Sequence, residues 1–119
     1  MPYIDLPKIW FPKFLTYGNY GGPGWSCGAI IHNREEKDWD VEPSDTMDVL
    51  FYDHDYVYHI AKTKEELQKG DQILIDGLRK LDPNPRNWSI PPTRNSIWWA
   101  RIYRHAAILV FRSKLWLGL

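Results

Sequence analysis

Cysteine is nearly absent from the 119 residues: Cys27 stands alone. No disulfide can form within the chain, which argues against the small secreted scaffolds that replace a core with cross-links and fits a reducing compartment. Long apolar runs are missing too. The longest, Ala106 to Phe111, falls far short of the ~20 residues that a membrane-spanning helix requires. The start, Met1-Pro-Tyr-Ile-Asp, lacks a basic stretch followed by an apolar one and does not read as a signal peptide. Fifteen basic side chains cancel fifteen acidic ones, so no global field points to nucleic acid and no acidic excess points to disorder. Acidic residues are also absent from 83–119, which holds six basic ones, whereas 33–82 holds fourteen acidic and seven basic side chains. That segregation suggests a cation site in the middle and an anionic partner near the end.

What is present reads as a single domain over residues 1–119, with 44% apolar residues and seven tryptophans to fill a core without cross-links. Pro2, Pro7 and Pro12 cut residues 1–16 into pieces of a turn or two. Residues 17–28 carry five of the eight glycines and form a shaped loop, and 32–43 read as a polar surface connection. Pro43-Ser44 then opens a helix, with Ser44 as its N-cap, that runs to about Lys62. Thr63 and Glu66 make a capping box for a second helix, on which Leu67, Leu74, Ile75, Leu78 and Leu81 recur at helical spacing. So short a connection predicts antiparallel neighbours. Residues 82–95, with four prolines, form a loop, and a third helix runs from about Ser96 to Lys114.

Helix phase singles out a few polar residues. At ~100° per residue, Met47, Leu50 and Tyr58 lie within ~40° of His54, so the imidazole sits on the apolar stripe. A satisfied core histidine would also sit there. Asp71 tips the balance, because it falls among Leu67, Leu74, Ile75 and Leu78 on the face that the second helix must bury, whereas Asp76 points toward water. A carboxylate in an apolar seam needs a partner, and the antiparallel neighbour offers His54. Held at one nitrogen by a buried Asp, an imidazole can act as a general base at the other. Asp55 lies ~100° round and faces a different neighbour, for which the glycine loop is the candidate. Alternate carbonyls of an extended segment point the same way, so Tyr20, Gly22 and Gly24 can turn three oxygens toward one point. With one carboxylate these are hard ligands of the kind Ca²⁺ prefers; a plain Gly-Pro turn is the other reading of the same loop.

Together these residues resemble the phospholipase A2 superfamily of secreted and venom enzymes and the related domain of parvovirus capsids. Tyr17-Gly-Asn-Tyr20-Gly-Gly22-Pro-Gly24 matches the calcium-loop pattern Y-G-x-Y-x-G-x-G, and Asp48 to Tyr58 matches the helix pattern D-x5-H-D-x2-Y. Gly70-Asp71-Gln-Ile-Leu-Ile is similar to the A-D-x-x-F stretch of the viral domains. The resemblance covers residues 17–58 firmly and extends to 81. It implies a small, mainly helical fold with two antiparallel helices, a glycine-rich calcium loop and a C-terminal helix. It also implies Ca²⁺ held by Asp55 and the carbonyls of Tyr20, Gly22 and Gly24, with His54 as base, Asp71 as its partner, Tyr58 supporting that aspartate and the Gly22 N–H facing the oxyanion. The activity implied is calcium-dependent hydrolysis of the sn-2 ester of glycerophospholipids at a membrane surface, rising from pH 5 to 8 and lost in chelator. A catalytically silent module that binds lipid or calcium is the alternative. Secreted members carry cysteines where this chain has Asn19, Gly21, Leu50, Phe51 and Val57, so aromatic packing must substitute. With one cysteine and no leader, an intracellular or virion-associated location is expected rather than a secreted one.

Other motifs fail on context. Gly24-Trp-Ser26-Cys-Gly28 fits the nucleophile elbow of serine esterases, yet no strand and large parallel sheet can precede it. His54 and His59 are five apart, not the four that places two zinc ligands on one face. Asp38, Asp40 and Glu42 start like an EF-hand, but Pro43 and Val49 stand where Gly and Glu are needed. Cys27, His32, His59 and His105 are assigned no role. The third helix, with Trp98, Trp99, Ile102, Ala106, Leu109, Val110 and Trp116 apolar and Arg101, Arg104, Arg112 and Lys114 basic, is read as an amphipathic helix packed on the other two with its basic side in water, a dedicated membrane surface being the alternative. Lys8, Trp10, Phe11, Lys13, Phe14 and Trp25 are the preferred lipid-facing rim.

Overall fold

Residues 16–22, 25–26, 29–30 and 39–119 are described by the computed structural model. Lys8, Trp10, Phe11, Lys13, Phe14, Gly24, Cys27 and His32 lie outside the described residues, as does the side chain of Trp25. Helix α1 spans Thr46–Ile60, α2 spans Lys64–Lys80 and α3 spans Ile97–Trp116. A two-residue ladder, β1 (Trp25–Ser26) against β2 (Ala29–Ile30), pairs antiparallel with Trp25 opposite Ile30.

The start of α1 differs from expectation by one residue. Asp45, not Ser44, caps it by accepting the Asp48 N–H at 2.9 Å. Ser44 is diverted, because its own N–H and hydroxyl reach the Asp48 carboxylate at 2.8 and 3.2 Å. The helix stops at Ile60, short of Lys62, where Ala61 turns extended. Thr63 caps α2 through the Glu66 N–H at 3.2 Å, but the return arm of the box reaches one residue further back, to the Lys62 N–H at 3.1 Å. Ser96 caps α3 as expected.

Helices α1 and α2 run antiparallel, as their contacts show: Leu50 lies on Gly77, His54 on Asp71 and Val57 on Gly70. Glycine lets the two helices approach closely at these crossings. A Cβ on Gly70 would stand 2.8 Å from Val57 Cγ1, and one on Gly77 2.9 Å from Leu50 Cδ2. Leu50 and Val57 are two of the positions where cysteines were noted to be missing, so aliphatic side chains seated on glycines join them to α2. Aromatic packing serves at Phe51, whose ring meets Tyr103 edge-on at 5.6 Å and Tyr17 at 6.2 Å.

Helix α3 lies against α2 with a different face from the one its apolar residues suggest. Ala100, Tyr103, Ala107 and Phe111 are buried, and the two alanines let the backbones approach. Trp98, Ile102, Leu109 and Trp116 share the opposite face within ~40°, and Trp98 and Trp116 are 69% and 86% exposed. The expected basic side is split as well. Arg104 Nε donates to the Leu78 carbonyl at 2.7 Å, closing the end of α2, and Lys114 turns inward. Within 82–95 a 3-10 turn, Pro85–Asn87, precedes the buried Trp88, whose indole N–H binds the Asp82 carbonyl at 2.9 Å.

The two glycine crossings differ in how far they can yield. A β-branched Val57 is stiff at χ1, whereas the Leu50 methyl is the far end of a longer side chain. Overpacking costs about 1–3 kcal/mol, and Ala regains about 1 kcal/mol of helix propensity over Gly. Gly70→Ala is expected to lower the urea midpoint and Gly77→Ala to leave it nearly unchanged. Restoration of the midpoint in Val57→Ala/Gly70→Ala would assign the loss to that contact.

Candidate functional site

The antiparallel crossing sets His54 opposite Asp71. Both side chains have no exposed surface, and His54 Nε2 lies 2.7 Å from Asp71 Oδ1. The Tyr58 hydroxyl, one turn along α1, donates to the same oxygen at 2.7 Å. Lys114 Nζ, from α3, lies 2.6 Å from Asp71 Oδ2 and donates to the Tyr58 hydroxyl at 2.9 Å. Burial alone would push the Asp71 carboxyl up, but hydrogen bonds from His54, Lys114 and Tyr58 outweigh it and hold the group below the usual carboxylate range. An ionised Asp71 accepts a proton-bearing Nε2, so the other ring nitrogen is the basic one. Nδ1 is buried and makes no hydrogen bond among the described residues.

Burial lowers His54 from 6.5 to about 4; Asp71 works against this shift and Lys114 adds to it. Burial therefore keeps the imidazole neutral at pH 7. On the α1–α2 seam lies a crevice of ≈ 60 Å³ lined by Leu50, Asp53, His54, Val57, Gly70, Ile73 and Leu74. A crevice of that size has room for water.

The glycine loop lies on another face of α1. Asp48, Phe51, Tyr52 and Asp55 fall within ~100° of one another, and the loop touches the first three. The Asn19 and Tyr20 N–H groups donate to the Asp48 carboxylate at 2.8 and 3.0 Å, Gly21 packs at Phe51, and the Tyr20 ring meets Tyr52 edge-on at 4.8 Å. Tyr17 and Gly21 exchange two backbone hydrogen bonds at 2.7 and 2.8 Å, which closes the turn. The Tyr17 hydroxyl donates to Asp45 at 2.6 Å, Asn95 accepts the Gly18 N–H at 2.8 Å, and Arg94 donates to Asn19. Gly18 has φ +52°, and a Cβ there would fall 2.4 Å from Asp48 Cγ; no other residue fits. The loop is thus fixed by hydrogen bonds where cross-links are missing.

Asp55, fully buried, is one turn beyond Phe51 and Tyr52 on the face that carries the loop. Of the loop oxygens expected to join it, those of Tyr20 and Gly22 belong to the described residues and Gly22 takes φ 130°, while Gly24 lies outside them. No three His, Cys, Asp or Glu side chains converge among the described residues. A cation at this place would therefore rest on one carboxylate and backbone carbonyls, a hard-oxygen set that suits Ca²⁺ better than zinc. Asp76 is exposed and bonds Gln72 at 2.9 Å, away from His54. His59 packs on Trp39, ring to ring at 5.5 Å.

Three participants escaped sequence reasoning. Asp48 enters the sequence analysis only within a motif, Asp45 stands beside the expected cap Ser44, and Lys114 is expected in water. Helix phase carried a signal for Lys114: it falls within ~60° of Tyr103, Ala107 and Phe111, the stripe that α3 buries. Compared with family models, curated proteins and solved structures, the chain matches none.

Two outcomes follow from these charges. Asn at position 48 keeps one acceptor where the carboxylate serves three N–H groups and a hydroxyl, so Asp48→Asn should lose about 1–3 kcal/mol in urea denaturation at pH 7. For His54, the unfolded imidazole takes a proton near pH 6.5 while the buried one resists to about 4. Between those values the unfolded state binds more protons, so this contribution is complete above pH 6.5 and falls as pH drops toward 4. From pH 7 to 5, in chelator, the wild type should lose about 2 kcal/mol more than His54→Gln; equal losses would contradict a buried neutral ring.

Proposed function

We propose that the chain is a calcium-dependent phospholipase A2 that hydrolyses the sn-2 ester of glycerophospholipids at a membrane surface. The observation that carries this reading is the 2.7 Å contact between His54 Nε2 and a buried, ionised Asp71, with Nδ1 making no hydrogen bond among the described residues. The two motifs, Y-G-x-Y-x-G-x-G and D-x5-H-D-x2-Y, support it from the sequence. No helix among the described residues is long and apolar enough to cross a membrane, and a lipase acting from outside the bilayer needs none.

Asp71 and Tyr58 fix the tautomer and plane of His54, so that Nδ1 faces the reacting water without a search through rotamers. His54 takes the proton as the water oxygen attacks the sn-2 carbonyl, then returns it to the glycerol oxygen that leaves. No bond between enzyme and acyl group forms. The Gly22 N–H is assigned to the oxyanion of the tetrahedral intermediate. Asp55 and the carbonyls of Tyr20, Gly22 and Gly24 are the groups that would hold Ca²⁺, which when bound supplies positive charge for the phosphate and the oxyanion. Asp48 keeps the loop in place through the Asn19 and Tyr20 N–H groups.

Fatty-acid release from phosphatidylcholine and phosphatidylglycerol vesicles tests the reading. Turnover is expected with calcium, with none in EDTA; His54→Gln should fall ~10²–10⁴-fold and Ser26→Ala should stay at the wild-type rate. Vesicle binding without release would leave a silent lipid-binding module, and full turnover in EDTA would refute the calcium assignment.

A further inference from the structure

We propose that Lys114 is a positioning residue of the hydrolytic site, delivered by α3 to hold the Asp71 carboxylate ionised and oriented toward His54. The inference rests on the hydrolytic reading above and adds a third helix to the machinery. Asp71 has no exposed surface, and its two oxygens divide the work: Oδ1 meets the His54 ring and the Tyr58 hydroxyl, and among the described residues Oδ2 meets only the ammonium. Lys114 also donates to the Tyr58 hydroxyl at 2.9 Å, so ammonium, phenol and carboxylate close a ring. With a side chain 25% exposed, Lys114 is drawn largely out of water to make these contacts.

Neutral His54 and neutral Tyr58 cannot balance a buried negative charge; Lys114 is the cation in contact with it. Without that cation, Oδ2 has no donor and the carboxylate can recover one only by rotating away from His54 or by drawing a second proton onto the pair. Either change spoils Nδ1 as a base while leaving the loop and Asp55 untouched. The ammonium also donates to the main-chain oxygen of Leu119 at 3.2 Å and lies 5.6 Å from the Tyr58 ring centre. Its placement depends on the Ala100–Ala107 approach of α3, so docking of α3 and competence of the dyad are linked.

Lys114→Met, Lys114→Arg and the exposed control Trp116→Ala separate this role from a merely structural one. In Lys114→Met, kcat should fall ~10–100-fold, as second-sphere changes do elsewhere, with KM and half-saturating calcium within about twofold. Lys114→Arg, which restores a cation, should recover most of the loss, and Trp116→Ala should match the wild type. At pH 7 the ¹⁵N shifts of the His54 ring should report one Nε2–H tautomer in the wild type and move at both nitrogens in Lys114→Met. A kcat within twofold for Lys114→Met overturns the proposal, as does a loss that Arg fails to recover and that tracks the fraction unfolded. Should the wild type release no fatty acid, the hydrolytic reading falls by itself. The ring shifts then decide on Lys114 alone, and unchanged shifts reject it.

Discussion

A carboxylate without exposed surface must be met by donors at both oxygens, and at Asp71 that demand organises the molecule. The donors come from three places: His54 and Tyr58 on α1, and Lys114 on α3. Supplying them fixes the register of α1 against α2 and the depth at which α3 sits. The apolar contacts agree with the polar ones. Val57 on Gly70 and Leu50 on Gly77 flank the His54–Asp71 pair, so a slip along the seam would break steric fit and hydrogen bonding together. This is the consistency between levels that gives a sequence a single structure.

The same economy recurs at Asp48. Its carboxylate is fully buried, and burial pushes its proton affinity up while N–H groups from Asn19, Ser44 and Tyr20 pull it down. Asp45 repeats the pattern beside it, capping α1 and accepting the Tyr17 hydroxyl. Carboxyl groups whose burial raises their proton affinity are used to define a loop that has no disulfide to define it. The loop geometry is thereby tied to the first turn of α1, and Asp55 follows two turns further along the same helix.

The three helices, two of their caps and the antiparallel pair were legible because each has a local signature: Thr63 and Ser96 at the starts, a helical period in 67–81, and a connection too short for any other arrangement. The pairing of His54 with Asp71 was legible for a related reason, since a charge on an apolar stripe has to be answered and few answers lay opposite. Ser44 against Asp45 as the cap was not, because both are good caps and the choice was made by Asp48, which claims the serine. The face of α3 was misjudged because hydrophobicity alone favours tryptophan over alanine, whereas close approach to α2 favours alanine. Trp98 and Trp116 are consequently turned outward and Ala100 and Ala107 inward.

What the chain determined by itself was the local chemistry: where helices begin, which polar residues fall on buried stripes, and which segment carries the glycines for a tight loop. Those follow from backbone sterics and helical periodicity, which act within a few residues. Only the tertiary structure decided that Lys114 reaches Asp71, that Asp48 anchors Asn19 and Tyr20, and that Val57 rests on Gly70. These contacts join residues 13 to 43 positions apart or bury a charge that would otherwise stay in water. Their energy depends on what the rest of the fold has already excluded from solvent.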